Sequence, residues 1–144
     1  MFETMRRRAR EAALQVLFQM DVGRLSIDDA LASVAAPDWR PDDWALVGTL
    51  ARGTRAHLAL IDEMIARVAE HWTIERMAAV DRNILRMAIF ELEHTATPVR
   101  VIINEAVELA KRYSTEDSGR FVNGLLGQMV RSGLRSPAGQ ASDV

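Results

Sequence analysis

Between residues 76 and 93 the chain spreads Val80, Ile84, Leu85, Met87, Ala88, Ile89 and Leu92 over well over half the circumference of a helix. A helix that is apolar on most of its sides cannot lie on a surface. It needs neighbours on several faces and belongs at the centre of a bundle. This one segment predicts a fold in which other elements wrap a buried central helix.

The rest of the chain supplies that wrapping at the same helical period. From Thr4 to Asp21, the residues Ala9, Ala13, Val16, Leu17 and Met20 form one apolar stripe, and Gly23 ends it. Ser26 is placed to cap a short second helix with Asp28 and Asp29 in its first turn, where negative charge suits the helix dipole. Pro37 and Pro41 bracket a loop. A long helical stretch then runs from about Asp42 to His71, with Leu46, Leu50, Leu58, Ile61, Ile65 and Val68 on its core face. Gly48 and Gly53 are the expected points of bending or interruption in it.

Beyond the central helix, Thr97 reads as an N-cap and Pro98 as a first helical residue. The helix they open reaches Tyr113, with Ile102, Ile103, Ala106, Leu109 and Ala110 inward and Glu105, Glu108 and Lys111 outward. A polar loop at 114–117 leads to a last helix from about Ser118 to Val130, whose apolar face is Phe121, Val122, Leu125, Leu126 and Met129. Gly124 and Gly127 fall on its other side, which predicts a close approach of a second backbone or a ligand there. No strand alternation and no repeat interrupts the pattern.

The expected architecture is all-α: a compact helical bundle of about six or seven helices in two helical subdomains. It forms a single domain over 1–131, with an N-terminal half at about 1–73 and a C-terminal half at about 74–131, and a flexible tail over 132–144.

Several function classes drop out on composition. At 49% hydrophobic and 26% charged residues the chain has globular proportions, not those of a disordered scaffold. It holds no run of 18 apolar residues and no apolar secretion signal at its start, so a cytoplasmic protein without a membrane role is expected. Cysteine is absent, which removes disulfides, thiolate metal sites and cysteine nucleophiles. There is no Gly-rich phosphate loop and no nucleophile elbow. His57, His71 and His94 sit singly, with no metal spacing between them, and read as surface or helix-end residues. Glu105 and Glu108 lack the accompanying Glu-x-x-His of a bundle metal site. A non-enzyme without cofactor or metal is the expectation.

The net charge of −2 hides a pattern. Arg6, Arg7, Arg8 and Arg10 crowd the first turns of helix 1 against the single acid Glu3, while Asp28, Asp29, Asp38, Asp42 and Asp43 cluster further on. Cations at a helix N-terminus oppose its dipole by roughly 0.3–1 kcal/mol each when exposed, so something must compensate them, and phosphate is the natural ligand for guanidinium. Arg7, Leu14 and Phe18 lie on one side of the same helix, with Arg10 at its edge, offset from the main stripe. An aromatic ring beyond a run of arginine is the combination single-stranded RNA binders use, with charge for the backbone and a ring for a base. Plain packing of Phe18 in the core is the other reading of that ring.

Three blocks resemble a known family. They are RRRAREAALQVLFQMD at the start, VDRNILRMAIFEL in the middle and PVRVIINEAVELAKRYSTEDSGRFVNGLLGQM towards the end. All three are similar, in content and order, to the bacterial NusB family of transcription antitermination factors. The resemblance implies two helical subdomains and a non-enzymatic role. It implies binding of single-stranded boxA-type RNA from ribosomal RNA leaders together with NusE, a small-subunit ribosomal protein. That assembly acts within the RNA polymerase antitermination complex. A similar domain precedes the catalytic domain of some rRNA cytosine methyltransferases, and the lack of cysteine speaks against that chemistry here.

Position by position, the resemblance assigns Arg6, Arg7, Arg8, Arg10, Gln15 and Phe18 to RNA, Phe18 standing where the family often has Tyr. It assigns Asp117, Ser118, Arg120 and Phe121 to a second RNA-facing segment, in which Asp117 limits affinity by repulsion. Asp81 and Arg82 match the part of the central helix that faces the protein partner. A helical protein–protein adaptor that never touches RNA is the competing expectation, and a homodimer hiding the RNA surface is a third arrangement.

Overall fold

The helical period becomes seven α-helices in the computed structural model, which describes residues 2–69 and 73–133, with side chains from residue 6 onward. They are α1 (Phe2–Asp21), α2 (Ile27–Val34), α3 (Pro41–Ala56), α4 (Leu58–Val68), α5 (Ala79–His94), α6 (Val99–Tyr113) and α7 (Glu116–Arg131). A 3-10 turn at Ile74–Arg76 precedes α5. Among the described residues there is no strand, and no helix is long and apolar enough to cross a membrane.

The central helix is α5, as its all-round apolarity requires. Of its 16 residues 11 are buried, and Ile84, Leu85 and Ile89 are fully enclosed. Burying each such side chain contributes roughly 1.5–3 kcal/mol. The helix packs on α1, α3 and α4 from one group of elements and on α6 and α7 from the other. It is therefore the element common to both groups.

Local chemistry explains the helix ends. Ser26 caps α2 by accepting from the Asp29 N–H at 3.1 Å. Thr115 does the same for α7 through the Ser118 N–H at 2.9 Å. Residues Glu116 and Asp117, which read as loop, are thus the first turn of α7, where their charge suits the dipole. At α6 the start falls one residue later than the spacing predicts: Pro98 is the N-cap, and Thr97 instead donates its N–H to Thr95 Oγ1 at 3.3 Å.

The long stretch from Asp42 breaks at His57 and not at a glycine. Its N–H donates to Gly53 O at 3.1 Å, and its Nδ1 lies 2.9 Å from the same oxygen. Gly53 has another reason to be glycine, because a Cβ there would clash with the Cζ end of the Phe90 ring on α5. Among the described residues no second backbone approaches Gly124 or Gly127: Gly124 faces open space and Gly127 meets the side chain of Arg131. His71 lies outside the described residues, as does the expected tail beyond Gly133.

Candidate nucleic-acid interface

The four arginines of α1 sit within two turns, yet the fold sends them to four different environments. Arg6 is exposed and makes no ion pair among the described residues. Arg7 donates from Nε and Nη2 to Glu105 Oε1 and Oε2 on α6, at 3.0 and 2.8 Å, while its side chain stays 44% exposed. Arg8 donates from Nη2 to Asp38 Oδ1 at 3.1 Å and lays its guanidinium 3.9 Å above the ring centre of Trp39. Arg10 is buried and forms a bidentate pair with Glu91 of α5.

These pairs bear on two expectations. Arg10, grouped with its neighbours as an RNA residue, is engaged in a buried ion pair with Glu91 and reaches the surface only at the recess it shares with Arg6, Arg7 and Arg100. Glu105 does not point outward but is buried at the Arg7 contact. The hydrogen bond from Arg7 outweighs burial and holds the Glu105 carboxyl below its usual range. The compensation that the helix dipole demands therefore comes from carboxylates of this chain for Arg7, Arg8 and Arg10.

Beside Arg8 the surface opens into a groove of about 560 Å³, lined by Arg8, Gln15, Phe18, Trp39, Val80 and Tyr113 among others. Gln15 is exposed and Phe18 half-buried, so the fold does bring Arg8, Gln15 and Phe18 to one concave surface. Tyr113 donates its hydroxyl to Glu11 Oε2 at 2.8 Å across the rim. Burial and that bond raise its pKa. Arg6 and Arg7 line a different recess with Arg100, between α1 and the start of α6.

The second predicted segment lies around a smaller cavity of about 220 Å³ lined by Arg76, Asp81, Asp117, Ser118 and Phe121. Val80 lines the groove and Asp81 this cavity, so the first turn of α5 joins the two. Asp117 and Arg120 are both exposed and pair with each other. Ser118 is not an outward hydroxyl: it is buried and donates to Asp81 Oδ2 at 2.9 Å, tying α7 to α5. Among the described residues Asp81 Oδ1 is buried and finds no hydrogen-bond partner. Phe121 is half-buried against the core.

The two residues expected to face a partner are engaged internally. Asp81 holds Ser118, and Arg82 donates to Asp21 Oδ2 and Oδ1 at 2.6 and 3.0 Å. Arg86 joins that cluster, bridging Asp21 and Asp62. Nor do the histidines all stand apart. His57 and His94 rings meet at 4.2 Å between centres, against Phe90. No group of three metal-ligating side chains occurs among the described residues.

Sequence reasoning missed Trp39 and Tyr113 as groove residues. An aromatic between two prolines and one at a helix end, neither on an apolar stripe, were the available signals. It also missed Glu91 and Glu105, whose partners lie 81 and 98 positions away.

The NusB family model matches residues 7–131. A curated relative, the transcription antitermination protein NusB of Symbiobacterium thermophilum, is 48% identical over 144 aligned residues, covering 93% of this chain and 94% of the relative. The solved structure of T. maritima NusB superposes with a TM-score of 0.83 at 38% identity, covering 88% of this chain and 90% of that one. The fold also matches a chain in a crystal structure of antitermination factors NusB and NusE in complex with dsRNA, with TM-score 0.76, 27% identity and coverage of 90% and 98%.

Proposed function

The chain belongs to the NusB family, and on that footing we propose that it is an RNA-binding transcription antitermination factor acting with a NusE-type ribosomal protein. The role is that of a binding protein and not of an enzyme. Its RNA is single-stranded and boxA-like, from ribosomal RNA leaders, and its setting is the cytoplasmic RNA polymerase antitermination complex.

One observation supports this reading above the rest. The groove beside α1 combines a guanidinium at its rim (Arg8), an exposed amide (Gln15) and a half-buried ring (Phe18). That set offers a phosphate contact, a base-edge contact and a stacking face. Arg6 and the exposed part of Arg7 add basic surface at the separate recess they share with Arg100. The half-buried Phe121 at the second cavity and the exposed Arg120 next to it in the chain continue the path, with Asp117 as a repulsive neighbour that keeps affinity down. Arg10 and Ser118 support the surface from inside.

Titration of a labelled boxA-like RNA, with and without the NusE-type partner, tests the proposal. Three arginine–phosphate contacts predict a log–log salt slope near about −2, at about −0.7 per single-strand contact. Absence of RNA binding even with the partner present leaves a protein–protein adaptor in its place.

A further inference from the structure

Arg8 is held differently from its neighbours. Arg7 and Arg10 each engage a carboxylate through two nitrogens. Arg8 makes one hydrogen bond, Nη2 to Asp38 Oδ1 at 3.1 Å, with side chains 36% and 71% exposed. Exposed single-point pairs of this kind contribute little. The flat face of the guanidinium, in contrast, rests on a ring that is firmly fixed. Trp39 Nε1 donates to Val34 O at 2.9 Å, its ring lies 5.7 Å from that of Trp44, and Pro37 and Pro41 restrict the backbone on either side. A guanidinium stacked on indole keeps its edge donors free for an anion.

We propose that the loop residues Trp39 and Asp38 form a clamp that positions Arg8 at the groove, and that an RNA backbone phosphate binds by taking the place of the Asp38 carboxylate. The inference rests on the RNA-binding reading above. Trp39 is the permanent half of the clamp, because it holds the guanidinium plane. Asp38 is the exchangeable half, a carboxylate occupying the edge where a phosphate offers more acceptor oxygens and more charge. The hydrogen bond from Arg8 holds the Asp38 carboxyl below its usual range, so it stands there ionised. The acidic segment thereby acquires a role at the groove, since its Asp38 keeps Arg8 ordered and neutralised until RNA arrives.

The test is fluorescence anisotropy with a labelled boxA-like single-stranded RNA in the presence of the NusE-type partner, with thermal melts of every variant. Asp38→Asn tightens binding by about two- to fivefold, the scale of one exposed ion pair. Trp39→Leu weakens it by about two- to fivefold and flattens the log–log salt slope by about 0.7, one phosphate contact. Trp39→Phe, which keeps a ring under Arg8, retains most of the affinity and guards against a folding artefact. In an Arg8→Ala background the Asp38→Asn gain disappears. Equal gains in both backgrounds would show general repulsion and overturn the clamp, as would unchanged affinity and slope in Asp38→Asn and Trp39→Leu. Failure of the unmodified protein to bind RNA sinks the RNA-binding reading itself, an outcome that needs no variant to recognise.

Discussion

Arg10 Nε donates to Glu91 Oε1 at 3.1 Å inside an ion pair whose side chains are only 5% and 2% exposed. Two helices, α1 and α5, are joined there by a charge pair almost wholly removed from solvent. Removing one partner leaves an uncompensated charge in the core. Glu91→Ala should therefore cost about 3–5 kcal/mol in urea or thermal unfolding. The double replacement Arg10→Met with Glu91→Leu should recover most of that loss, since apolar groups of similar volume need no partner. A single variant that melts like the parent would refute the buried pair.

Two glycines on helices make opposite predictions. Gly53→Ala drives a methyl group into the Phe90 ring and should destabilise by about 1–3 kcal/mol, with partial relief in a Phe90→Leu background. Gly124 faces open space, so Gly124→Ala gains helix propensity and should stabilise by about 0.5–1 kcal/mol. Thermal melts of both variants check the contrast.

Acid should attack the junction of α1 with α5. Burial pushes the Asp21 carboxyl up, but hydrogen bonds from Arg82 and Asn83 and the charges of Arg82 and Arg86 outweigh it and hold it below the usual aspartate range. A group with a depressed folded pKa contributes stability above its unfolded pKa and loses it as pH falls through the folded one. Glu105 follows the same rule through Arg7. Urea midpoints should therefore be flat above about pH 5 and fall below about pH 4. In Asp21→Asn the midpoint starts lower at neutral pH, and its gap to the parent narrows with acid.

Phe18 separates stacking from packing. Phe18→Ala should cost roughly 1–3 kcal/mol of RNA affinity if a base stacks on the ring. Phe18→Leu keeps apolar volume without a stacking face and should lose affinity while melting close to the parent. Lost stability with undiminished RNA affinity in the folded fraction would return Phe18 to the core.

The helices and their order were legible from residue spacing because helix formation is local. The stripe Ala9–Ala13–Val16–Leu17 and the all-round apolarity of α5 each depend on neighbours within about one or two turns. Caps behaved the same way: Ser26 acts as its position predicts, and the one-residue shift at Pro98 is a local matter of backbone bonding. The basic end of α1 and the ring beyond it were visible for that reason too.

The destinations of the arginines were not legible. Spacing placed Arg7 on the Leu14–Phe18 side of α1 with Arg10 at its edge, yet Arg7 reaches Glu105 98 positions away and stays half in water, while Arg10 reaches Glu91 81 positions away and is buried. A helical period tells which side of its own helix a residue occupies. It carries no information about which helix crosses that side, or how closely. The sequence by itself determined an all-α bundle around α5 with a basic first helix. Only the tertiary packing decided which of those cations became core, which became tethered at the surface and which makes no ion pair among the described residues.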